Sequence, residues 1–125
     1  MTSLLDTCAV LWCAREPDRL SKRVRDLLLD PREELAVSVV SAWEIAVKPE
    51  LEIADATGWL RQAARKLQAR ILPVHLEHIA TLQKLPQRHR DPFDRLLIAQ
   101  AVAGQLALIT ADEAIGKYLE VRCVW

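Results

Sequence analysis

Short apolar runs alternate along the chain with longer segments in which apolar residues recur at three- and four-residue steps. Each run is closed by polar residues, which is typical of a buried strand, and each longer segment has the spacing of a helix. The runs are SLLDT at the start, ELAVSVV (34–40), RILPV (70–74), LALIT (106–110) and EVRCVW (120–125). The helical segments cover residues 18–30, 55–70, 75–85 and 92–103.

Strands that alternate with helices of this length predict a parallel sheet covered by helices on both faces. The fold class is therefore α/β, with three layers (α/β/α) and a central, mainly parallel sheet of about five strands. The chain has 125 residues, of which 51% are hydrophobic, so it can bury a core of ordinary size. We expect residues 1–125 to form a single domain.

Charge, hydropathy and cysteine content exclude several classes of protein. Seventeen basic and seventeen acidic residues give a net charge of zero, which argues against binding to nucleic acid by bulk charge. No run reaches the roughly 18 apolar residues of a membrane span, and the start MTSLLDT lacks the basic flank of a secretory signal. The three cysteines form no C-x-x-C pair, and we expect them to be reduced core residues. A cytoplasmic protein without membrane contact is expected.

Four acidic residues follow strands or open helices. Asp6 closes the first apolar run, Glu44 comes four residues after the second, and Asp112 comes two residues after LALIT. Asp94 lies in the first turn of the helix that RDPFDRLLIAQAV predicts. Since ligands bind outside the carboxyl ends of parallel strands, these carboxylates are predicted to gather at one edge of the sheet.

Helix capping is an alternative explanation for each acid. SAWE (41–44) and TADE (110–113) both match the capping box, in which the acid bonds back to the first residue. Asp6 can cap the helix that follows it, and Asp94 can interact with the positive end of a helix dipole. Asp91, directly before a proline, is assigned to capping alone.

The joint arrangement of the acids favours a cation site. Clustered carboxylates repel one another, and burying an unpaired charge is costly, so such a group takes up protons or binds a cation. Oxygen ligands suit Mg²⁺ or Mn²⁺, and Mg²⁺ commonly shares its ligands between carboxylates, waters and substrate phosphate. The acids therefore indicate phosphate chemistry.

Four segments in order carry a resemblance to a known family. LLDTCAVLW (4–12), VSAWEIAVK (40–48), HRDPFDRLLIAQA (89–101) and LALITADEAIGKY (106–118), with the final VRCVW, resemble the motifs of PIN-domain ribonucleases of the VapC toxin type. The resemblance spans nearly the whole chain, and the third segment is the most specific. It implies a PIN-like fold and hydrolysis of RNA phosphodiester bonds.

The resemblance also implies which residues act. The acids that bind Mg²⁺ or Mn²⁺ and support cleavage correspond to Asp6, Glu44, Asp94 and Asp112. Thr7 and Thr110 match the hydroxyl residues that flank that site. Relatives commonly form homodimers and are inhibited by an antitoxin protein whose tail enters the acidic pocket, so the same partners are implied here.

Two positions depart from the family pattern. Cys8 stands where many relatives have histidine, and Pro49 stands in a loop where many have a glycine-containing turn. Both changes affect the surroundings of the site and leave the acids unchanged.

Contacts with RNA are predicted from the cations nearest to the acids in sequence, which are Lys48, Arg90 and Arg95. Lys48 has an alternative role, which is to pair with the final turn of its own helix. His89 is either a phosphate contact or a simple loop histidine.

Two other functions compete with the nuclease. A PIN-like domain that has lost catalysis would only bind a protein or RNA. A receiver-type phospho-acceptor domain has this length and an acidic Mg²⁺ site, but it needs a pair of acids after the first strand. Here Asp6 stands alone, His75 follows RILPV, and the lysine expected after the fifth strand is missing.

Overall fold

All five predicted strands form and pair in parallel in one sheet. The computed structural model describes residues 2–125. The strands are β1 (Thr2–Leu5), β2 (Glu34–Ser38), β3 (Arg70–Leu72), β4 (Ala107–Ile109) and β5 (Cys123–Val124).

Helices follow every strand except the last. They are α1 (Thr7–Arg15), α2 (Lys22–Leu29), α3 (Val39–Val47), α4 (Ala56–Leu67), α5 (Leu76–Lys84), α6 (Pro92–Gly104) and α7 (Glu113–Gly116). Short 3-10 turns at Pro17–Arg19 and Pro49–Leu51 lead into the segments before α2 and α4. No helix in the part of the chain that the structure describes is long and apolar enough to span a membrane.

The strand order is β3-β2-β1-β4-β5, so the order reverses between β1 and β4. Leu5 of β1 is paired with both Val37 and Ile109, which brings the carboxyl ends of three strands to the same level. A crevice at such a reversal is the usual ligand site of an open parallel sheet. Receiver domains have the order 2-1-3-4-5, and the observed order therefore excludes that alternative.

Hydrophobic side chains fill two cores, one on each face of the sheet. Leu4 and its neighbours on β2 and β4 pack against α6 and the segment after α7, while Leu5 packs on the opposite face against α1, α2 and α4. Successive side chains of a strand point to opposite faces, so both residues are buried only when helices cover both faces. This arrangement confirms the three-layer α/β/α fold.

The boundary between β2 and α3 differs from the sequence prediction. The strand was predicted to continue to Val40, but it ends at Ser38, whose side-chain oxygen accepts a hydrogen bond from the Val40 N–H at 3.0 Å. Ser38 is therefore the N-cap of α3, and Glu44 lies inside this helix. The capping box predicted for residues 41–44 is wrong, because the helix has already begun when the chain reaches Ser41.

The cysteines are unpaired, as predicted, and Cys13 and Cys123 pack against the two cores, but the prediction of a core position is wrong for Cys8. Cys8 is exposed, and Cys13 and Cys123 are only half-buried. Thr7 and Ala9 point inward from the first turn of α1, and the helical rotation directs Cys8 between them outward.

A buried polar contact joins β2, α6 and the end of β3. Gln100 is completely buried, and its Oε1 accepts a hydrogen bond from the Ser38 hydroxyl at 2.5 Å. Its Nε2 donates to the Pro73 carbonyl at 3.1 Å. These bonds hold α6 against the start of α3, so they align the two helices that carry Asp94 and Glu44.

Replacing this glutamine is expected to destabilise the fold. Gln100→Leu retains a side chain of similar size but leaves the Ser38 hydroxyl and the Pro73 carbonyl without this partner, at a cost of about 1–3 kcal/mol. Urea denaturation measures the free energy of unfolding, with Gln62→Leu on the exposed face of α4 as the matched control. A loss no larger than that of the control would contradict the role of this contact.

Candidate active site

Asp6 is the first residue after β1 and lies at the reversal of strand order. Its backbone N–H donates to the Ile109 carbonyl at 3.1 Å, which fastens it to the end of β4. Its Oδ1 accepts a hydrogen bond from the Ala9 N–H at 2.8 Å, so Asp6 is also the N-cap of α1, and its carboxylate is hydrogen-bonded to the Thr110 side chain. Asp6 is held rigidly by two strands and a helix.

The Asp6 carboxylate is buried among other acids. It is only 3% exposed, and desolvation by burial raises its pKa from 3.8 to about 6. The negative charges of Asp94 and Asp112 raise the pKa further, while the hydrogen bonds from Thr110 and Ala9 act in the opposite direction. Three of the four predicted acids thus act on one another electrostatically.

Asp94 lies in the first turn of α6. Asp91 caps this helix by accepting hydrogen bonds from the Phe93 and Asp94 N–H groups, which confirms its assignment to capping. Desolvation raises the pKa of Asp94 to about 6, and the charges of Asp91 and Glu44 raise it as well. The hydrogen bond with His89 lowers it. Through Asp94, Glu44 joins the same electrostatic group.

Glu44 approaches the site from α3 and is 6% exposed. Its Oε2 lies 2.5 Å from the Lys48 Nζ, one helical turn later. Its Oε1 is buried and has no hydrogen-bond partner among the described residues. A buried carboxylate oxygen without a partner is costly, and a bound cation would satisfy it.

Asp112 combines a capping role with a contact to His89. Its Oδ1 accepts a hydrogen bond from the Ala114 N–H at 2.8 Å and caps α7, while its Oδ2 lies 3.5 Å from the His89 Nε2. The Asp112 N–H donates to the Thr110 hydroxyl at 3.1 Å. Because α7 begins at Glu113, the capping box predicted for residues 110–113 is wrong, and Asp112 itself is the cap.

The two predicted hydroxyl residues have different surroundings. Thr110 contacts both Asp6 and the Asp112 backbone, so it links two of the acids. The Thr7 hydroxyl instead lies 2.9 Å from the Ser41 hydroxyl and joins the first turns of α1 and α3. Ser41 is buried, and it was not predicted as a site residue because its position in SAWE suggested only a helix cap.

His89 is the residue of the site that the sequence left undecided. Its Nε2 lies 2.9 Å from the Asp94 Oδ2, and one ligand atom from each of His89, Asp94 and Asp112 lies within 4.8 Å of the others. Asp6 and Glu44 lie outside this closest group. The only sequence indication was the position of His89 in the loop that leads into α6.

The three cations predicted to contact RNA are placed differently. Lys48 pairs with Glu44 and lies 5.6 Å from the centre of the Phe93 ring, so its predicted pairing with its own helix is observed at the edge of the site. Arg90 is exposed in the loop beside His89. Arg95 is directed toward α5, where its Nη2 donates to the Leu85 carbonyl at 3.3 Å.

The donor set fits a hard divalent cation. It consists of carboxylate oxygens, two of them on the nearly buried Asp6 and Glu44, and the Glu44 Oε1 has no hydrogen-bond partner among the residues that the structure describes. Burial and mutual repulsion disfavour the charged forms, so the acids lack sufficient positive compensation from the protein itself. Oxygen-rich sites of this kind suit Mg²⁺ or Mn²⁺.

Removal of the Asp6 charge is expected to stabilise the metal-free protein at neutral and higher pH. The folded-state pKa lies above the ordinary value of 3.8, so the contribution of Asp6 to stability is present below pH 4 and is lost as the pH rises through about 6. In EDTA at pH 8, Asp6→Asn should raise the free energy of unfolding by up to about 3 kcal/mol. Near pH 4 the parent and the variant should be alike.

Urea denaturation between pH 4 and pH 8 measures this difference. Asp18→Asn, in the exposed turn after α1, controls for the loss of any one negative charge. A variant that is less stable than the parent at pH 8 would show that Asp6 is mainly a structural cap.

Comparisons with known proteins identify the family and the fold of the chain. The chain matches the model of the PIN domain family over residues 3–119, and no curated protein sequence matches it. A chain of VapBC2 from Rickettsia felis bound to a promoter DNA fragment is similar, with 13% identity, coverage of 99% of this chain and 98% of that chain, and a TM-score of 0.73.

Other solved structures share the fold at similarly low identity. DNA-bound VapBC from Salmonella typhimurium has 12% identity, coverage of 99% and 97%, and a TM-score of 0.73. FitAcB from Neisseria gonorrhoeae has 20% identity, coverage of 98% and 96%, and a TM-score of 0.67. PIN domains are nucleases as a family, which supports the predicted hydrolase class. The chain belongs to the PIN domain family, as its sequence motifs predicted.

Proposed function

We propose that the protein is a Mg²⁺- or Mn²⁺-dependent endoribonuclease that hydrolyses RNA phosphodiester bonds as the toxin of a toxin–antitoxin pair. The observation that carries this proposal is the acidic site at the reversal of strand order. Asp6, Glu44, Asp94 and Asp112 come from four separate parts of the chain, and their charges act on one another.

In the proposed mechanism, Asp6 and Asp94 are the main ligands of the cation, and Glu44 and Asp112 contribute directly or through water. In this site, such a cation would supply a water of lowered pKa and positive charge beside the scissile phosphate. The hydrogen bond with Thr110 orients the Asp6 carboxylate and favours its ionised form, against the larger effect of burial. Neither a serine nor a cysteine nucleophile is needed.

The proposed RNA contacts are Lys48 and Arg90 at the edge of the acids. Lys48 is paired with Glu44 and lies near Phe93, and Arg90 is exposed next to His89. Arg95 stays a prediction with less support, because its guanidinium would have to leave the α5 carbonyls to reach a phosphate.

The proposed protein partners are an antitoxin whose tail enters the acidic pocket and a second copy of the chain. Several related structures are described as VapBC or toxin–antitoxin complexes. An apolar groove of about 380 Å³ between α3 and α4 supports a protein partner, with half-exposed Trp43 on its wall. The free thiols suit the reducing cytoplasm, which is the proposed location.

Cleavage of RNA tests the proposed activity directly. We expect the parent to cleave RNA in Mg²⁺ or Mn²⁺ and its cleavage to stop in EDTA. Asp6→Asn and Asp94→Asn should each lower the cleavage activity by about 100-fold or more, because each removes the charge of a ligand. Asp18→Asn is the control and should retain full activity. The rate of appearance of cleaved ends is the measurement.

Unchanged activity in Asp6→Asn or Asp94→Asn would reject their roles as ligands. If the parent binds Mn²⁺ but cleaves none of a complete cellular RNA mixture, the protein is instead a PIN domain that only binds its partners.

Salt dependence tests the proposed phosphate contacts. For a non-cleavable RNA analogue, Lys48→Gln or Arg90→Gln should reduce the slope of log affinity against log salt concentration by about 0.7, the value for one lost contact to a single strand. Fluorescence anisotropy measures the affinity, and Lys66→Gln on the exposed side of α4 is the control. Equal slopes in the parent and both variants would place the RNA elsewhere.

A further inference from the structure

The loop that carries His89 is anchored on both sides. Before His89, the Arg88 N–H donates to the hydroxyl of the fully buried Tyr118 at 3.1 Å, and the Arg88 Nη1 lies 3.2 Å from the Glu120 Oε1. After His89, Asp91 begins α6 as its N-cap. The backbone on both sides of His89 is therefore fixed by contacts with the rest of the fold, and these contacts set the position of the imidazole.

The imidazole lies between two acids that belong to different elements. Its Nε2 is 2.9 Å from the Oδ2 of Asp94 on α6 and 3.5 Å from the Oδ2 of Asp112 before α7. The His89 side chain is 18% exposed, so water competes little for these contacts. No other side chain among the described residues bridges this pair of acids.

The other ring nitrogen identifies the tautomer. The Arg90 N–H donates to the His89 Nδ1 at 3.1 Å, so Nδ1 carries a lone pair. In a neutral imidazole the proton is then on Nε2, which donates to Asp94. An Nε2 that carries a proton has no lone pair to offer a metal ion.

We propose that His89 is a positioning residue of the cation site, which holds the Asp94 and Asp112 carboxylates together through its Nε2–H group without ligating the cation. This inference rests on the proposed function, since it concerns the same site. Groups that hydrogen-bond to ligating carboxylates orient them, and their loss typically lowers metal affinity by about 10–100-fold. The buried Oε1 of Glu44, which has no hydrogen-bond partner among the described residues and whose charge acts on Asp94, is a second observation that favours a cation beside Asp94.

Metal binding without RNA provides the first test. By isothermal titration calorimetry, His89→Ala should weaken the binding of Mn²⁺ and of Mg²⁺ alike, by about 10–100-fold. His89→Gln places an amide N–H near the position of Nε2 and should restore much of the affinity. His75→Gln, which changes a histidine outside the site, should bind like the parent, and circular dichroism checks that each variant is folded.

Electron spin-echo spectroscopy of bound Mn²⁺ provides the second test, because it detects a nitrogen bound directly to the ion. The expected result is that the parent shows no such nitrogen. A directly bound nitrogen that disappears in His89→Ala would overturn the proposal, as would a selective loss of Mn²⁺ over Mg²⁺ affinity, because both indicate a nitrogen ligand.

These outcomes separate this inference from the proposed function. Unchanged or tighter Mn²⁺ binding in His89→Ala overturns the positioning role, whereas cleavage of RNA by the parent would still support the nuclease. Absence of RNA cleavage with Mn²⁺ binding that still depends on His89 would overturn the nuclease alone. If the parent binds no Mn²⁺, the inference is wrong whatever the RNA assay gives.

Discussion

The register between β1 and its two neighbours is the constraint on which the acidic site depends. Leu5, Val37 and Ile109 are aligned across three parallel strands, so the chain leaves all three strands at the same level. Asp6 is fastened there through its backbone bond to the Ile109 carbonyl. A shift of one residue in the pairing of β1 with its neighbours would direct the side chains of β1 to the opposite faces of the sheet and would move Asp6 away from Thr110.

Three of the acids use one carboxylate oxygen for a structural contact and keep the other out of it. Asp6 and Asp112 each use Oδ1 to cap a helix, and Glu44 uses Oε2 to pair with Lys48. The second oxygen of Glu44 has no partner, and that of Asp112 lies toward His89. Capping and cation binding are therefore compatible roles, because a carboxylate has two oxygens and several lone pairs.

Burying these acids together lowers the stability of the folded protein when no cation is bound. Burial raises the pKa values of Asp6 and Asp94, which means that their charged forms are less favourable here than in water. The buried contact of Ser38 with Gln100 and the anchoring of Arg88 by Tyr118 fix the surrounding backbone in spite of this repulsion. Fixed carboxylates that lack compensation have a stronger preference for a cation than flexible surface acids.

The sequence by itself determined the fold class and the five strands, because these depend on local periodicity, and its motifs selected the four acids whose charges act on one another in the fold. It also placed Asp91 correctly, since an acid before Pro92 is a local helix-start pattern. It failed where a local pattern had two solutions, as at Val39 and Val40, which favour a strand by propensity but open a helix because Ser38 caps it.

Only the tertiary structure decided which side chains meet. The contact of Thr7 with Ser41 joins residues 34 positions apart, and the contact of Ser38 with Gln100 joins residues 62 apart. The bridge from His89 to Asp112 depends on the anchoring of its loop by Tyr118, and the direction of Arg95 depends on the packing of α5 against α6. Such contacts arise from the relative placement of whole elements, which the spacing of residues along a chain does not encode.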